Sequence, residues 1–219
     1  MAVRARAIEL PEPTGPRSGV AGEGRPLRLL ITGDSSAAGV GAGTQTQALA
    51  GQLVSRLAKS ARVEWQLEAT TGHRTADTIA RLSTVRGQFQ VVVTALGVND
   101  VTRAMSQDRF RDAQRILVKD LTSRMGAGLI LASGVPPMEH FPALPRPLNW
   151  VLGCQAARLD TALGQLAAEI PEMEHLPFHL PPDPANAAPD GYHPSPKAYA
   201  LWAERLAAKI LAAMAARRI

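Results

Sequence analysis

Only one cysteine, Cys154, occurs in the 219-residue chain. An internal disulfide framework and a cysteine-based zinc finger are thereby excluded, and the usage fits a reducing compartment. Aromatic residues are scarce at 4%, and no array of rings suited to stacking on sugars stands out. Nowhere do about 18 uncharged apolar residues run together, so no membrane-spanning helix is expected. Residues 1–26 also lack the apolar core of a secretory signal, because Arg4, Arg6 and several prolines interrupt them. These absences predict a soluble, cytoplasmic protein with no stable membrane insertion. No internal repeat is found.

What is present points to one folded domain. Hydrophobic residues make up 46% and charged residues 20%, a balance unlike that of disordered or fibrous chains. A chain of this length can remove roughly 70% of its unfolded surface from water. The formal charge of +5 and the pI near 10.0 invite nucleic acid as a partner. The placement of the charges argues otherwise. Twenty of the 24 basic residues are arginine; Arg4, Arg6, Arg17, Arg25 and Arg28 lie in or beside the N-terminal segment, and Arg217 and Arg218 close the last helix. A basic stripe interleaved with aromatics, as nucleic-acid binding requires, is missing. No nucleic-acid partner is expected.

Residues 1–26, rich in Pro, Gly and Arg, read as an arm that is loose or strapped over a domain spanning 27–219. Within that domain, apolar runs alternate with helical periodicity. Leu27–Thr32, Val63–Leu67, Val91–Leu96 and Leu129–Ala132 have the character of strands, and Glu174–His179 is a fifth, edge candidate. Helical spacing runs through Thr44–Ser60, Thr75–Val85, Phe110–Leu121 and Asn149–Ile170. A last helix begins at Ser195-Pro196, an N-cap followed by proline in the first turn. Five alternations predict a parallel sheet wrapped on both faces by helices.

Ligands of such sheets bind beyond the carboxyl ends of the strands. Four segments rich in Gly and reactive polar groups are expected at that rim. They are Gly33-Asp34-Ser35-Ser36, Gly72-His73, Gly97-Val98-Asn99-Asp100 and Asp190-Gly191-Tyr192-His193. The chemistry they suit is acyl transfer. A serine hydroxyl becomes nucleophilic when an imidazole takes its proton, and a carboxylate must orient that imidazole and stabilise its charge. Ser35, His193 and Asp190 supply the three parts. The backbone N–H groups of Ser35 and Gly72, with the Asn99 amide, can supply an oxyanion hole.

In order and spacing these four segments, together with Pro194, resemble the SGNH (GDSL-type) hydrolases over about residues 28–215. The resemblance implies a flavodoxin-like three-layer α/β/α sandwich with a five-stranded parallel sheet. It also implies ester hydrolysis without metal or cofactor. Ser35 would be nucleophile and oxyanion donor, Gly72 and Asn99 the other donors, His193 the base and Asp190 its partner. The first motif departs from the family name, reading G-D-S-S where leucine is expected after the serine. The motif is not the G-x-S-x-G elbow of the α/β-hydrolases. The expected substrate is a small carboxylic ester. Lysophospholipase or thioesterase activity and carbohydrate acetylesterase activity are the alternatives within this fold, and a non-catalytic nucleic-acid-binding module is the alternative outside it.

Other residues take plainer readings. Ser36 is the rival nucleophile, and Asp34 and Asp100 are expected to brace their turns. His73 and Arg74 fit a pocket wall or a solvated loop equally well. His175 and His179 are four apart, but Pro177 argues against a helix, and on a strand they would stand about 13 Å apart, too far to share a metal. Cys154 falls in a helical pattern and is expected to be a small core or semi-buried residue. The long Pro-rich connector after the fourth strand should sit on the functional rim. Its Val135, Met138, Phe141 and Leu144 are expected to help form an acyl or alcohol pocket.

Overall fold

A computed structural model describes residues 9–178 and 183–219. Their spine is a six-stranded sheet made of β1 (Ser18–Ala21), β2 (Pro26–Gly33), β3 (Arg62–Ala69), β4 (Val91–Ala95), β5 (Leu129–Ser133) and β6 (Met173–Leu176). The spatial order is β1-β3-β2-β4-β5-β6. All pairs are parallel except β1 with β3. Without β1 the order is that of flavodoxin-like sheets, with the switch point beside β2.

Helices cover both faces: α1 (Ser35–Ala38), α2 (Leu49–Leu57), α3 (Thr75–Leu82), α4 (Val98–Thr102), α5 (Gln107–Ser123), α6 (Leu148–Glu169) and α7 (Pro196–Ala215). Strand alternation sorts the core into two halves. Leu29, Ile31, Val91 and Val93 join Leu53 of α2 and Tyr199 and Leu206 of α7 on one face. Leu30, Val92 and Ile130 join Leu82, Phe110, Leu117 and Leu163 from α3, α5 and α6 on the other. Leu29, Leu30 and Ile31 are wholly buried in succession, as a central strand covered on both faces requires. Truncating one of them to alanine should cost about 2–5 kcal/mol. No helix among the described residues is long and apolar enough to cross a membrane.

Three sequence expectations need correction. The sheet has a sixth strand, because Ser18–Ala21 adds antiparallel to the otherwise open edge of β3. Its four largely exposed residues carry neither alternation nor an apolar run; the waiting donors and acceptors of β3 recruit them. The second correction is to the fifth parallel strand, which is Met173–Leu176 rather than Glu174–His179. Pro177 follows it, and His179 lies outside the described residues. The helix read over Thr44–Ser60 is also shorter, Leu49–Leu57, since Thr44 bridges to Thr14 and residues 45–48 turn.

Register brings the functional segments together. Gly33 lies opposite both Ala69 and Ala95, Ala95 opposite Ser133, and Ser133 opposite Leu176. The five parallel strands therefore end on one line, and every loop that follows them starts from the same rim.

Candidate active site

The turn after β2 cannot tolerate a side chain at its first position. Gly33 has φ of +154°, and a Cβ there would lie 2.1 Å from the Ala95 carbonyl oxygen. The chain then turns directly into α1, with Asp34 as N-cap and Ser35 as first residue. Asp34 Oδ1 accepts hydrogen bonds from the Ser36 N–H at 2.9 Å and the Ser36 hydroxyl at 2.7 Å. Ser36 is thus held by its own turn. Burial pushes the Asp34 carboxyl up to about 6, against the opposing effect of those two bonds. Ser35 is half-buried, and its Oγ lies 2.9 Å from His193 Nε2.

His193 reaches this position through a tight turn before α7. Gly191 takes φ of +65°, and Asp190 Oδ1 accepts the backbone N–H groups of Tyr192 and His193, both at 3.0 Å. The other carboxylate oxygen sits 2.5 Å from His193 Nδ1. With Nδ1–H donating to the carboxylate, Nε2 keeps its lone pair for the serine proton. Burial opposes the charge on Asp190, but the ring and backbone bonds outweigh it and hold its carboxyl below the ordinary value. Beneath the turn, a Cβ on Gly41 would lie 2.2 Å from the Pro194 carbonyl oxygen. The Tyr199 hydroxyl donates to the Val40 carbonyl at 2.7 Å, so α7 and the loop after α1 are locked together.

Two further donors come from neighbouring loops. Gly72 follows β3 with φ of +83° and open space where a side chain would stand. Asn99 lies in α4, which is capped at its start by Gly97; a Cβ on Gly97 would come within 2.6 Å of Val135 Cγ2. The Asn99 side-chain amide donates one hydrogen to the His73 carbonyl at 3.0 Å, tying α4 to the Gly72 loop and leaving its second hydrogen for another acceptor. Asp100 is buried and accepts from the N–H and hydroxyl of Thr75, at 3.2 and 3.0 Å. It braces the start of α3, and burial raises its carboxyl above the ordinary value.

The connector proposed as a pocket wall divides in two. Val135 and Met138 are 4% and 0% exposed and belong to the core beside α6. They offer no face to a ligand, because the connector folds inward through a short 3₁₀ turn at Met138–His140. Phe141 and Leu144 keep partial exposure, and Phe141 meets the Tyr192 ring edge to face at 5.0 Å, next to His193. Cys154 is exposed on the outer side of α6, which corrects the expectation of a core or semi-buried residue. His73 is half-buried in a cleft of about 570 Å³ with Glu68, Asp77 and Arg81, while Arg74 pairs with Asp77 and lines a second, of about 500 Å³.

Two features escaped the sequence reading. His175 Nε2 lies 2.8 Å from Asp160 Oδ1, a second histidine–carboxylate pair. Glu12 of the N-terminal segment bonds to Thr71, the residue before Gly72. Neither carries a local signal, since the partners are 15 and 59 positions apart. Among the described residues, no group of three or more His, Cys, Asp or Glu side chains is placed to hold a metal ion.

The chain is 28% identical over 197 residues to a GDSL-like esterase of Mycobacterium tuberculosis, a match covering 82% of this chain and 60% of that protein. The chain therefore spans less than two thirds of that relative's length. Among solved structures, a lipase from a goat rumen metagenome superposes with a TM-score of 0.68 at 16% identity, covering 83% of this chain and 96% of that one. A lipase/acylhydrolase from Enterococcus faecalis gives 0.66 at 18% identity, covering 84% and 95%. These two show the shared fold. Residues 31–201 match the sequence model of the GDSL-like Lipase/Acylhydrolase family, and with that span covering most of the chain, the protein belongs to this family.

Proposed function

We propose that the protein is a serine esterase that hydrolyses small carboxylic esters through an acyl-enzyme. The observation that carries the reading is the 2.9 Å contact between Ser35 Oγ and His193 Nε2, on a ring whose Nδ1 is held by Asp190 at 2.5 Å. Ser35 Oγ attacks the ester carbonyl carbon as its proton passes to Nε2, and Asp190 stays ionised beside the imidazolium. The oxygen that takes up negative charge is met by the N–H groups of Ser35 and Gly72 and the free hydrogen of the Asn99 amide. Ser35 begins α1, so its N–H has no partner within the helix.

Collapse of the tetrahedral intermediate breaks the bond to the alcohol oxygen, which takes the proton from Nε2. Water then gives its proton to the same nitrogen, attacks the acyl carbon and releases the acid, restoring Ser35. Small esters fit because Phe141 and Tyr192 close one side of the rim while Val135 and Met138 fill the core rather than opening a channel. Turnover of an activated aryl ester by Ser35→Ala tests the reading. Activity should vanish while the thermal transition stays in place; retained turnover would locate the nucleophile elsewhere.

A further inference from the structure

The N-terminal segment touches the site from outside the span that defines the family, since the family match begins at residue 31. Its contacts converge on the Gly72 loop. Glu12 Oε1 accepts both the Thr71 N–H and the Thr71 hydroxyl, each at 2.8 Å. Arg17 Nη1 donates to Glu12 Oε2 at 2.8 Å, and Arg17 Nη2 donates to the Ala69 carbonyl at the end of β3. One carboxylate and one guanidinium thereby grip residues 69 and 71 together. The grip is anchored behind by the Leu67 N–H, which donates to the Arg17 carbonyl at 2.7 Å, and by β1 pairing along β3.

The same segment also abuts the turn that carries the nucleophile. Pro13 Cγ lies 2.9 Å from where a Cβ on Gly39 would stand, and Gly39 is the left-handed cap of α1. The Gln45 N–H donates to the Thr14 carbonyl at 2.8 Å, and the Gln45 side chain donates to the Ala38 carbonyl at 2.9 Å. Gly72 does nothing to hold itself: it is exposed, has no side chain and adopts a left-handed conformation in open space. Asn99 holds the loop after it, at the His73 carbonyl, and Glu12 holds it before, at Thr71. An oxyanion donor is effective only when its direction is set before charge develops. The peptide plane holding the Gly72 N–H hangs from the Thr71 Cα, so holding the Thr71 N–H and hydroxyl leaves that plane only rotation about the Thr71 Cα–C bond.

We propose that Glu12 is a positioning residue for catalysis, holding the Gly72 oxyanion donor in place through Thr71, with the 12–17 strap acting as part of the site. This rests on the serine-esterase reading above. A strap that only covered the edge of β3 would affect stability alone, so the test separates the two roles. Glu12→Ala should lower kcat for an aryl ester about five- to thirtyfold with KM within about twofold, less than the loss of a whole oxyanion donor. Its affinity for phenylboronic acid should fall by a similar factor. That probe bonds to Ser35 Oγ as the proton moves to His193, giving a tetrahedral anion without a leaving group.

Glu12→Gln should recover kcat to within about threefold of wild type, because its amide oxygen still accepts from Thr71. Arg25→Ala is the control: Arg25 ties the arm to the Met214 and Ile219 carbonyls, far from Gly72, and its loss should leave kcat unchanged. If Glu12→Ala does not fold, Thr71→Val removes one of the two bonds with the strap in place and should still lower kcat at least twofold; unchanged kcat there overturns the proposal. An active Ser35→Ala overturns the esterase reading and the clamp with it. Wild-type kcat and boronate affinity in Glu12→Ala, beside an inactive Ser35→Ala, overturn the clamp alone.

Discussion

Among the described residues, two histidine–carboxylate pairs stand at one end of the sheet, His193–Asp190 and His175–Asp160, and they differ in what the second ring nitrogen faces. In the first, the carboxylate holds Nδ1 and leaves Nε2 on Ser35. In the second, the carboxylate holds Nε2, while Nδ1 faces α6, only 3.3 Å from where a Cβ on Gly164 would stand. Asp160 Oδ1 also accepts the Val135 N–H at 2.9 Å, pinning the connector after β5. A nearby serine, Ser133, is already committed to the Trp202 indole N–H at 3.1 Å. A histidine–carboxylate pair is therefore not chemistry in itself. The group on the far nitrogen decides whether it moves a proton or fastens a loop.

The carboxylates offer the sharpest way to break this comparison. Asp190→Asn removes the charge that stabilises the imidazolium and disturbs the tautomer, so kcat should fall on the order of 10³–10⁴-fold. Stopped assays with a 4-nitrophenyl ester would measure it, and a loss under tenfold would erase the distinction between the pairs. Asn99→Ala should come next, losing on the order of 10²–10³ in kcat. A change below threefold would remove Asn99 from the oxyanion hole.

Asp34, in the nucleophile's own turn, is a third carboxylate with a different tuning. Burial raises it from 3.8 to about 6, so on raising the pH the unfolded chain loses this proton before the folded protein does. Stability contributed by the protonated form is present below about pH 4 and is lost as pH rises to about 6, amounting to about 3 kcal/mol. Asp34→Asn keeps an oxygen for both Ser36 bonds without the charge. Urea unfolding should therefore show the variant gaining on wild type by that order between pH 4 and 7; parallel profiles would refute the assignment. The smallest effect is expected at Asp160→Ala. It leaves the Val135 N–H without its acceptor and should cost about 1–3 kcal/mol in urea, with kcat within threefold of wild type. A hundredfold loss of kcat would show that both pairs serve catalysis.

Much of this was legible in the chain. Strand–helix alternation and the glycines at 33, 72 and 97 marked a parallel sheet with a functional rim, because buried strands and tight turns restrict residue type locally. The pairing of Ser35 with His193 was expected from the motifs, although 158 positions separate them. The connector was harder. Val135 and Met138 look like any apolar loop residues, and only packing against α6 and Gly97 turns them inward.

The sequence by itself determined the fold class, the order of the reactive groups and the absence of a disulfide framework, since these depend on periodicity, local turn chemistry and composition. Tertiary structure alone decided that the arm becomes a strand, that Glu12 grips Thr71, and that Asp160 meets His175. Those contacts join residues whose types carry no local pattern. An exposed strand edge, a close approach of two loops and the register of the sheet select them, and each exists only once the chain has folded.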